Sequence, residues 1–432
     1  MGNIVKLNTV SLDGNTCIKR GSGGSGGGGS ALLSTELALT HANAAKWETL
    51  AYYSTIEAAI SDISRSSIAS NCSADEAVVA VDFRGRYARI FLLKNTRVET
   101  SIDIGGIELL LGGNTLDVIK PLHASSDCVI NGRAKGSTVK GQQLLVVEGG
   151  RCNLLGGTFT SSTSGLGVND DPYASIQIAG GRLKTYGCNL IAADDAGGTI
   201  SNIFVASNAD LYAIDTKMTL TSKTGMQSCC VYNKGGIMLE RCKLEAFSDH
   251  TANAAGNNYA STARAIYGDT DSITQMEDCY IYGAHSGATV KGTLNITRGT
   301  YCGYSHGGVY IATAGNPVFI RDAVFKQVPL PAGYYDDGRA GTNGAALYIG
   351  GATNIQVYVD NCVFDALIQP IVMKNSSNVL YISNSRMNKD YSRAGIRNDS
   401  SNQVKFGVRN NFDVNNLENK RNYENTDADY GS

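Results

Sequence analysis

Carboxylates and histidines are the residues in this chain whose types and spacing could do chemistry. Two acidic doublets, Asp170-Asp171 and Asp194-Asp195, and the pair Glu277-Asp278 each set two carboxyl groups side by side. Glycoside hydrolysis needs two such groups flanking the scissile bond, about 5–5.5 Å apart for retention or about 6.5–9.5 Å for inversion. Three of the five histidines, His250, His285 and His306, fall in one stretch with Asp249, Tyr280, Tyr282 and Tyr304. Imidazole, carboxylate and phenol gathered on one side would bind a glycan or supply an acid and a base. A solvated polar loop face is the plainer account of the same residues. Tyr334-Tyr335-Asp336-Asp337 is a second place for carbohydrate contact. The glycine run at 21–30 lacks the Gly-Lys-Ser/Thr ending of a phosphate loop, and no Cys-x-x-Cys occurs. Neither a serine hydrolase, a metal site nor any cofactor is expected.

An internal repeat must position these side chains. Small residues recur at Cys128, Cys152, Cys188, Thr216, Cys242, Cys279, Gly299, Ala323, Cys362 and Ser385. Two positions after each comes a large side chain: Ile130, Leu154, Leu190, Met218, Leu244, Ile281, Tyr301, Phe325, Phe364 and Met387. Five positions before them, eight of ten residues are apolar. The spacing varies from 20 to 39 residues, so strands repeat while loops do not. Strand, tight turn and strand in register, with no helices between, predict a parallel β-helix of about ten or more rungs. Propellers and sandwiches keep neither this register nor this variable length. Counted from the repeat, Asp249, His250, His285 and His306 fall six to eight residues on, in loops of successive rungs. Asp278 sits immediately before a repeat position, where Asp127, Asp215, Asp322, Asn361 and Asn384 also stand, so turn chemistry accounts for it better than catalysis.

The repeat also places six cysteines, Cys128, Cys152, Cys188, Cys242, Cys279 and Cys362, at one inward rung position as small buried hydrophobes. An odd total of 11 cysteines fits reduced thiols. Ahead of the repeat, residues 35–65 carry Trp47, Leu50, Ala51, Ile56, Ala59, Ile60 and Ile63 at three- and four-residue spacings, predicting an amphipathic helical segment. The expected organisation is a peptide at 1–20, a Gly/Ser linker at 21–30, a helical cap at 31–75, the β-helix at 76–410 and a polar tail at 411–432. Residues 1–20 alternate apolar and polar, with Ile4, Val5, Leu7, Val10 and Leu12 available to dock on a partner.

Charge narrows the functions. With 37 Lys+Arg against 39 Asp+Glu and a formal net charge of −2, no global field favours nucleic acid. No run of 18 apolar residues occurs and no signal sequence is evident, so neither membrane insertion nor secretion is expected.

Tyr53-Ser54-Thr55-Ile56-Glu57-Ala58-Ala59-Ile60-Ser61, a strand near 78–83 and then the rungs resemble the start of pectate-lyase-like right-handed β-helices, where a short helix plugs the open end. An anchor, tether, helical segment and β-helix in that order resemble a bacteriophage fibre or spike, and Met1-Gly2-Asn3-Ile4-Val5-Lys6-Leu7-Asn8 is similar to the virion-attachment end of such fibres. The resemblance implies a homotrimer in the virion, docked to capsid or tail proteins by residues 1–20 and presenting its β-helix to host-surface glycan. The superfold also includes polysaccharide hydrolases and lyases. Glu277-Asp278-Cys279 with Ser305-His306-Gly307-Gly308 is loosely similar to the Asp-Asp-Cys and Gly-His-Gly motifs of polygalacturonases. That would make Asp278 and His306, with Asp194 and Asp195, catalytic in a tailspike depolymerase. Glu stands first in the doublet, Ser precedes His306, and no Arg-Ile-Lys follows. The expectation is a non-enzymatic fibre or spike, with the depolymerase and a bacterial surface adhesin as alternatives.

Overall fold

Val, Ile, Leu and Thr at alternate positions, broken by Gly, Asn and Asp, give strands of mostly 3–6 residues, as β-branched side chains favour a pleated, half-buried surface. The structure, a computed structural model, describes residues 51–65, 69–82, 88–163, 172–194, 199–222, 228–248, 263–304, 306–312, 317–329, 344–350, 354–374, 377–388, 395–399, 402–412 and 423–431. The chain is all-β, and each coil lays one strand on each of three stacks of parallel strands, the arrangement of a parallel β-helix. The first stack includes Gly181–Tyr186, Ala209–Ile214 and Gly236–Glu240, and the second Asn189–Asp194, Lys217–Ser222 and Lys243–Ser248. The third is a separate sheet of twelve strands, among them Ile200–Val205, Cys229–Asn233, Arg264–Gly268, Ser286–Val290, Gly307–Ile311, Leu347–Ile349 and Ile371–Met373. Two strands, Ile273–Gly283 and Thr293–Gly303, run unbroken from the first stack into the second.

Like side chains stack on like inside the coil. Leu183, Leu211 and Ile237 form one column, and Leu190, Met218, Leu244, Ile281, Tyr301, Phe325 and Phe364 another. Tyr301, Phe325 and Phe364 are fully buried, with ring centroids 5.6 and 5.4 Å apart. Burying each such ring or aliphatic group is worth roughly 1.5–3 kcal/mol, and the column repeats the gain at every level.

The repeat holds from Cys188 to Ser385 but slips at its start. Cys152 pairs with Cys128 on one side and with Leu183, not Cys188, on the other. The residues that precede Cys188 in its column are Gly157 and Ser137, whose carbonyls accept from Asn189 N at 2.9 Å and Thr158 N at 3.0 Å. Cys152 therefore lies five residues ahead of its coil's column residue, Gly157, and Cys128 nine ahead of Ser137. Both strands of a coil alternate inward apolar with outward polar residues, so a period-2 pattern fits either one.

Between the first two stacks the chain turns on a single left-handed residue. Gly187, Asp215, Arg241, Asp278, Arg298, Asp322, Asn361 and Asn384, each just before a small inward residue, have φ between 49° and 62°. Gly, Asn and Asp tolerate this region best, and the arginines here are held by neighbours. Arg241 Nε donates to Asp215 at 2.7 Å, Arg298 Nε to Asp278 at 2.7 Å, and Asn361 Nδ2 to Asp322 at 2.6 Å, a ladder of alternating partners up the bend.

At the start, helix α1 covers Ile56–Ser64, with Thr55 as N-cap accepting from Ala58 N at 3.2 Å. Ile56 and Ala59 join the core, and Ile60 and Ile63 pack against it. The helix is shorter than the spacing predicts. Ala51 lies instead in the strand Ala51–Tyr53, antiparallel to Val79–Asp82, because Tyr52 and Tyr53 favour strand and Ser54-Thr55 supplies a start signal. Trp47 and Leu50 fall outside the described residues. At the other end Tyr423–Asn425 adds a parallel strand to Gln403–Phe406. The chain then folds back: Asp429 accepts from Asn384 Nδ2 at 3.0 Å and pairs with Arg409 at 2.8 Å, while Tyr430 packs edge-on against Tyr381 at 5.2 Å.

Candidate functional site

A strand that buries one face in the coil offers the other outward, so the outer faces of the three stacks are where a ligand can meet side chains. On the first stack, Phe319, Tyr358 and Tyr381 stand one above another, with centroids 5.2 and 4.6 Å apart and planes 17° and 4° from parallel. Rings stacked this flatly spend their faces on each other and present edges. That suits stabilisation of the coil better than stacking on a sugar.

The outer face of the twelve-stranded sheet differs. Phe204, Tyr232 and Tyr267 stack at successive levels, with centroids 5.7 and 4.9 Å apart, and form a buried cluster apart from the main core. Cations lie over these rings. Lys234 Nζ is 5.7 Å from the Phe204 centroid and 5.9 Å from that of Tyr232. Arg264 and Lys291 both approach Tyr267, at 5.7 and 5.1 Å, and Lys374 sits 5.8 Å from the Tyr348 ring. Arg264 and Tyr267 are three apart and would point to opposite sides of a regular strand. Pairing skips Ala265, between Cys229↔Arg264 and Val231↔Ile266, and this irregularity turns both outward.

Beside them, at the corner entering the sheet, His285 and His306 stack with centroids 4.3 Å apart and planes 13° from parallel. His306 also meets Tyr310 at 5.8 Å and Tyr348 at 5.4 Å. A hydrogen-bond chain runs from His285 Nδ1 to Ser286 Oγ at 3.2 Å and on to Thr289 Oγ1 at 2.8 Å, which accepts from Arg264 Nε at 3.1 Å. Burial pushes the Tyr348 phenol up to about 12 and raises that of Tyr310, which Arg264 and Lys291 pull back down. Burial also lowers Arg264 below its ordinary value. Of these groups His285, Ser286, Thr289, Tyr267 and Tyr348 are buried, His306, Tyr310 and Arg264 are partly exposed, and Lys291 is exposed.

The structure thus brings together His285 and His306 of the residues singled out by sequence, and adds Arg264, Tyr267, Lys291, Tyr310 and Tyr348. Tyr282 is buried with its ring 5.3 Å from Phe247, and the Tyr304 carbonyl accepts from Gln327 Nε2 at 3.3 Å. Tyr280 is exposed, its ring under Lys243 at 5.3 Å. Asp278 is a left-handed bend residue gripped by Arg298 at 2.7 and 2.9 Å. Asp194 closes the strand Asn189–Asp194. Asp170, Asp171, Asp195, Asp249, His250, Tyr334, Tyr335, Asp336, Asp337 and the residues Ile4, Val5, Leu7, Val10 and Leu12 lie outside the described residues.

Gly303-Tyr304-Ser305-His306-Gly307 has Gly-x-Ser-x-Gly spacing, but a nucleophile elbow needs a strand leading into a helix. Here the glycines end one strand and begin the next. A Cβ on Gly307, at φ 89°, would lie 1.7 Å from the Ala345 carbonyl oxygen, and one on Gly308 2.2 Å from that of Tyr301. Close packing at the corner accounts for both. Among the described residues no group of three or more His, Cys, Asp or Glu is placed to hold a metal ion, and no helix is long and apolar enough to cross a membrane. No protein-family model matches the chain, and no curated protein matches it.

Proposed function

We propose that this chain is a structural virion protein of a bacteriophage, a head or tail fibre or spike that docks by residues 1–20 and presents its β-helix to host-surface glycan. In this reading the coil is right-handed, as crossovers between parallel strands of one sheet nearly always are. Helix α1 covers its N-terminal end, three copies associate, and the protein resides in the virion. The observation that carries the reading is the outer face of the twelve-stranded sheet, where the partly exposed His306 and Tyr310 and the exposed Lys291 stand over buried His285, Tyr267 and Tyr348. Hydroxyl-rich ligands are recognised by such rings and donors without bond cleavage. Asp278 is already held by Arg298, which favours attachment over hydrolysis at that residue.

The test incubates the full chain with host-surface polysaccharide and follows both binding and the appearance of new reducing ends or unsaturated sugars. Binding without product is expected. Product release would replace this reading with the depolymerase. Docking is tested by deleting residues 1–20: the chain should keep its circular dichroism spectrum and disappear from purified particles, and unchanged incorporation would refute the role of the peptide.

A further inference from the structure

We infer that Cys128 with Cys152, and Cys242 with Cys279, are two disulfide-forming sites inside the coil, each closed by hydrogen peroxide into a staple between successive levels. All four are thiols in the structure. Register is the first ground. Cys152 is the direct parallel partner of Cys128. The pairs Glu240↔Glu277 before the bend and Lys243↔Tyr280 after it set Cys279 directly on Cys242, with Tyr280 N donating to Cys242 O at 2.9 Å. Direct partners in a parallel sheet lie about 4.8 Å apart, inside the range of about 4.4–6.8 Å between Cα atoms that a disulfide spans. All four side chains point into the main core and are at most 2% exposed. The thiols of each pair therefore meet, and hydrogen bonds join Cys152 to Cys128 and Cys279 to Cys242.

Selectivity is the second. Among the described residues, the remaining cysteines of the coil lack a thiol at the next level. Cys188 lies between the levels of Gly157 and Thr216, and Cys362 between those of Ala323 and Ser385. Cys302 is paired with Tyr282 and Lys326, and Cys229 with Ser201 and Arg264. Cys230 joins the main core while Cys229, beside it in sequence, belongs to the outer cluster. The chemistry follows from burial. The neighbouring thiol, and then burial, raise Cys152 and Cys279 above the ordinary thiol value, which keeps both pairs protonated while the coil is closed. Thiolate is the reactive form, so the reaction waits for a level to open locally. There one thiolate attacks peroxide, the O–O bond breaks, and a sulfenic acid forms as hydroxide leaves and takes up the first thiol's proton. The second sulfur then displaces the sulfenic oxygen: the S–S bond forms, the S–O bond breaks, and the second thiol's proton departs with that oxygen as water. Two thiols lose two electrons in all, and one peroxide is reduced to two waters.

The experiment exposes the full chain to dilute hydrogen peroxide at about pH 7 and about pH 9, alkylates the remaining thiols in denaturant and maps the peptides by mass spectrometry. Two bridges are expected, Cys128 to Cys152 and Cys242 to Cys279, each formed with loss of two hydrogens and faster at the higher pH. Cys188 and Cys362 should be recovered alkylated, or as sulfenic acid trapped by dimedone. Cys279→Ala should fold, since Ala323 fills the same column, and should lose the second bridge while keeping the first. Cys152→Ala should do the reverse. The bridged chain should unfold at higher urea than the reduced one, because each bridge closes a long loop, and reductant should reverse the shift. Absence of both bridges in a chain whose circular dichroism spectrum is unchanged would overturn the sites. Equal bridging through Cys188 or Cys362 would reduce the effect to oxidation of an opened chain and overturn them too. An equal urea midpoint with both bridges formed would sink their role as staples.

Discussion

Replacing Gly307 by Ala isolates what the glycines at the corners of the coil do, with Gly187→Ala as its control. Both positions have positive φ, 89° and 62°. A Cβ at Gly187 meets nothing within 4 Å, so that variant carries backbone strain alone, about 1–2 kcal/mol and less by whatever the stiffer unfolded chain returns. Its column already accepts side chains at Asp215, Arg241 and Asn361. At Gly307 the new Cβ would sit 1.7 Å from the Ala345 carbonyl oxygen and 3.0 Å from that of Ala346. Relief requires the strand Leu347–Ile349 to move away from Gly307–Ile311, although Gly308 N donates to Ala346 O at 2.9 Å and Val309 is paired with Leu347. Strain, a lost ladder bond and displaced core packing add to more than about 3 kcal/mol. Urea titration followed by far-ultraviolet circular dichroism gives both differences, and hydrogen exchange shows whether the two strands open first. A cost for Gly307→Ala within about 0.5 kcal/mol of that for Gly187→Ala would refute the argument from close packing.

Phe364→Ala removes a fully buried ring stacked 5.4 Å from Phe325, and should lower stability by about 3–5 kcal/mol in the same titration. Asp278→Asn breaks an ion pair whose partners are about two-fifths exposed; it should change stability by only about 0–1 kcal/mol and leave glycan binding intact, whereas abolished polysaccharide cleavage would reveal a catalytic role. The carboxyl of Asp429 lies below its ordinary 3.8, chiefly through the Gly431 N–H, then Asn384 and Arg409. A depressed folded value stabilises above the unfolded one, so the folded-back segment 426–431 should stay docked at pH 5 and loosen as pH falls below 3.8, with Asp429→Asn loosened at all pH. Limited proteolysis across that range reads this out, and protection that persists unchanged to pH 2 would count against it.

Much of the fold is legible along the chain because a parallel stack imposes local order. Each coil must offer a small inward residue after its bend and a large one two positions later, so Cys242-x-Leu244, Cys279-x-Ile281 and Cys362-x-Phe364 announce themselves. The bend is legible too, since Asp, Asn and Gly favour the left-handed conformation found at Asp215, Asn361 and Gly187. Register was not secure at the start: Cys128 and Cys152 satisfy the same pattern in the neighbouring strand, and only hydrogen bonds to Gly157 and Ser137 fix the true column.

The grouping on the outer face of the twelve-stranded sheet lay deeper. His285 and His306 stood out by residue type, but Arg264, Tyr267, Lys291 and Tyr348 come from levels separated by loops of unequal length, and nothing in their spacing joins them. Composition and periodicity determined an all-β stack, its interior and its bends, because those depend on neighbours within one strand and one turn. The tertiary structure alone decided which outward side chains share a level and which irregular strand turns Arg264 toward Tyr267. Stacking is a long-range register, set by the packing of whole coils on one another and not by any local preference.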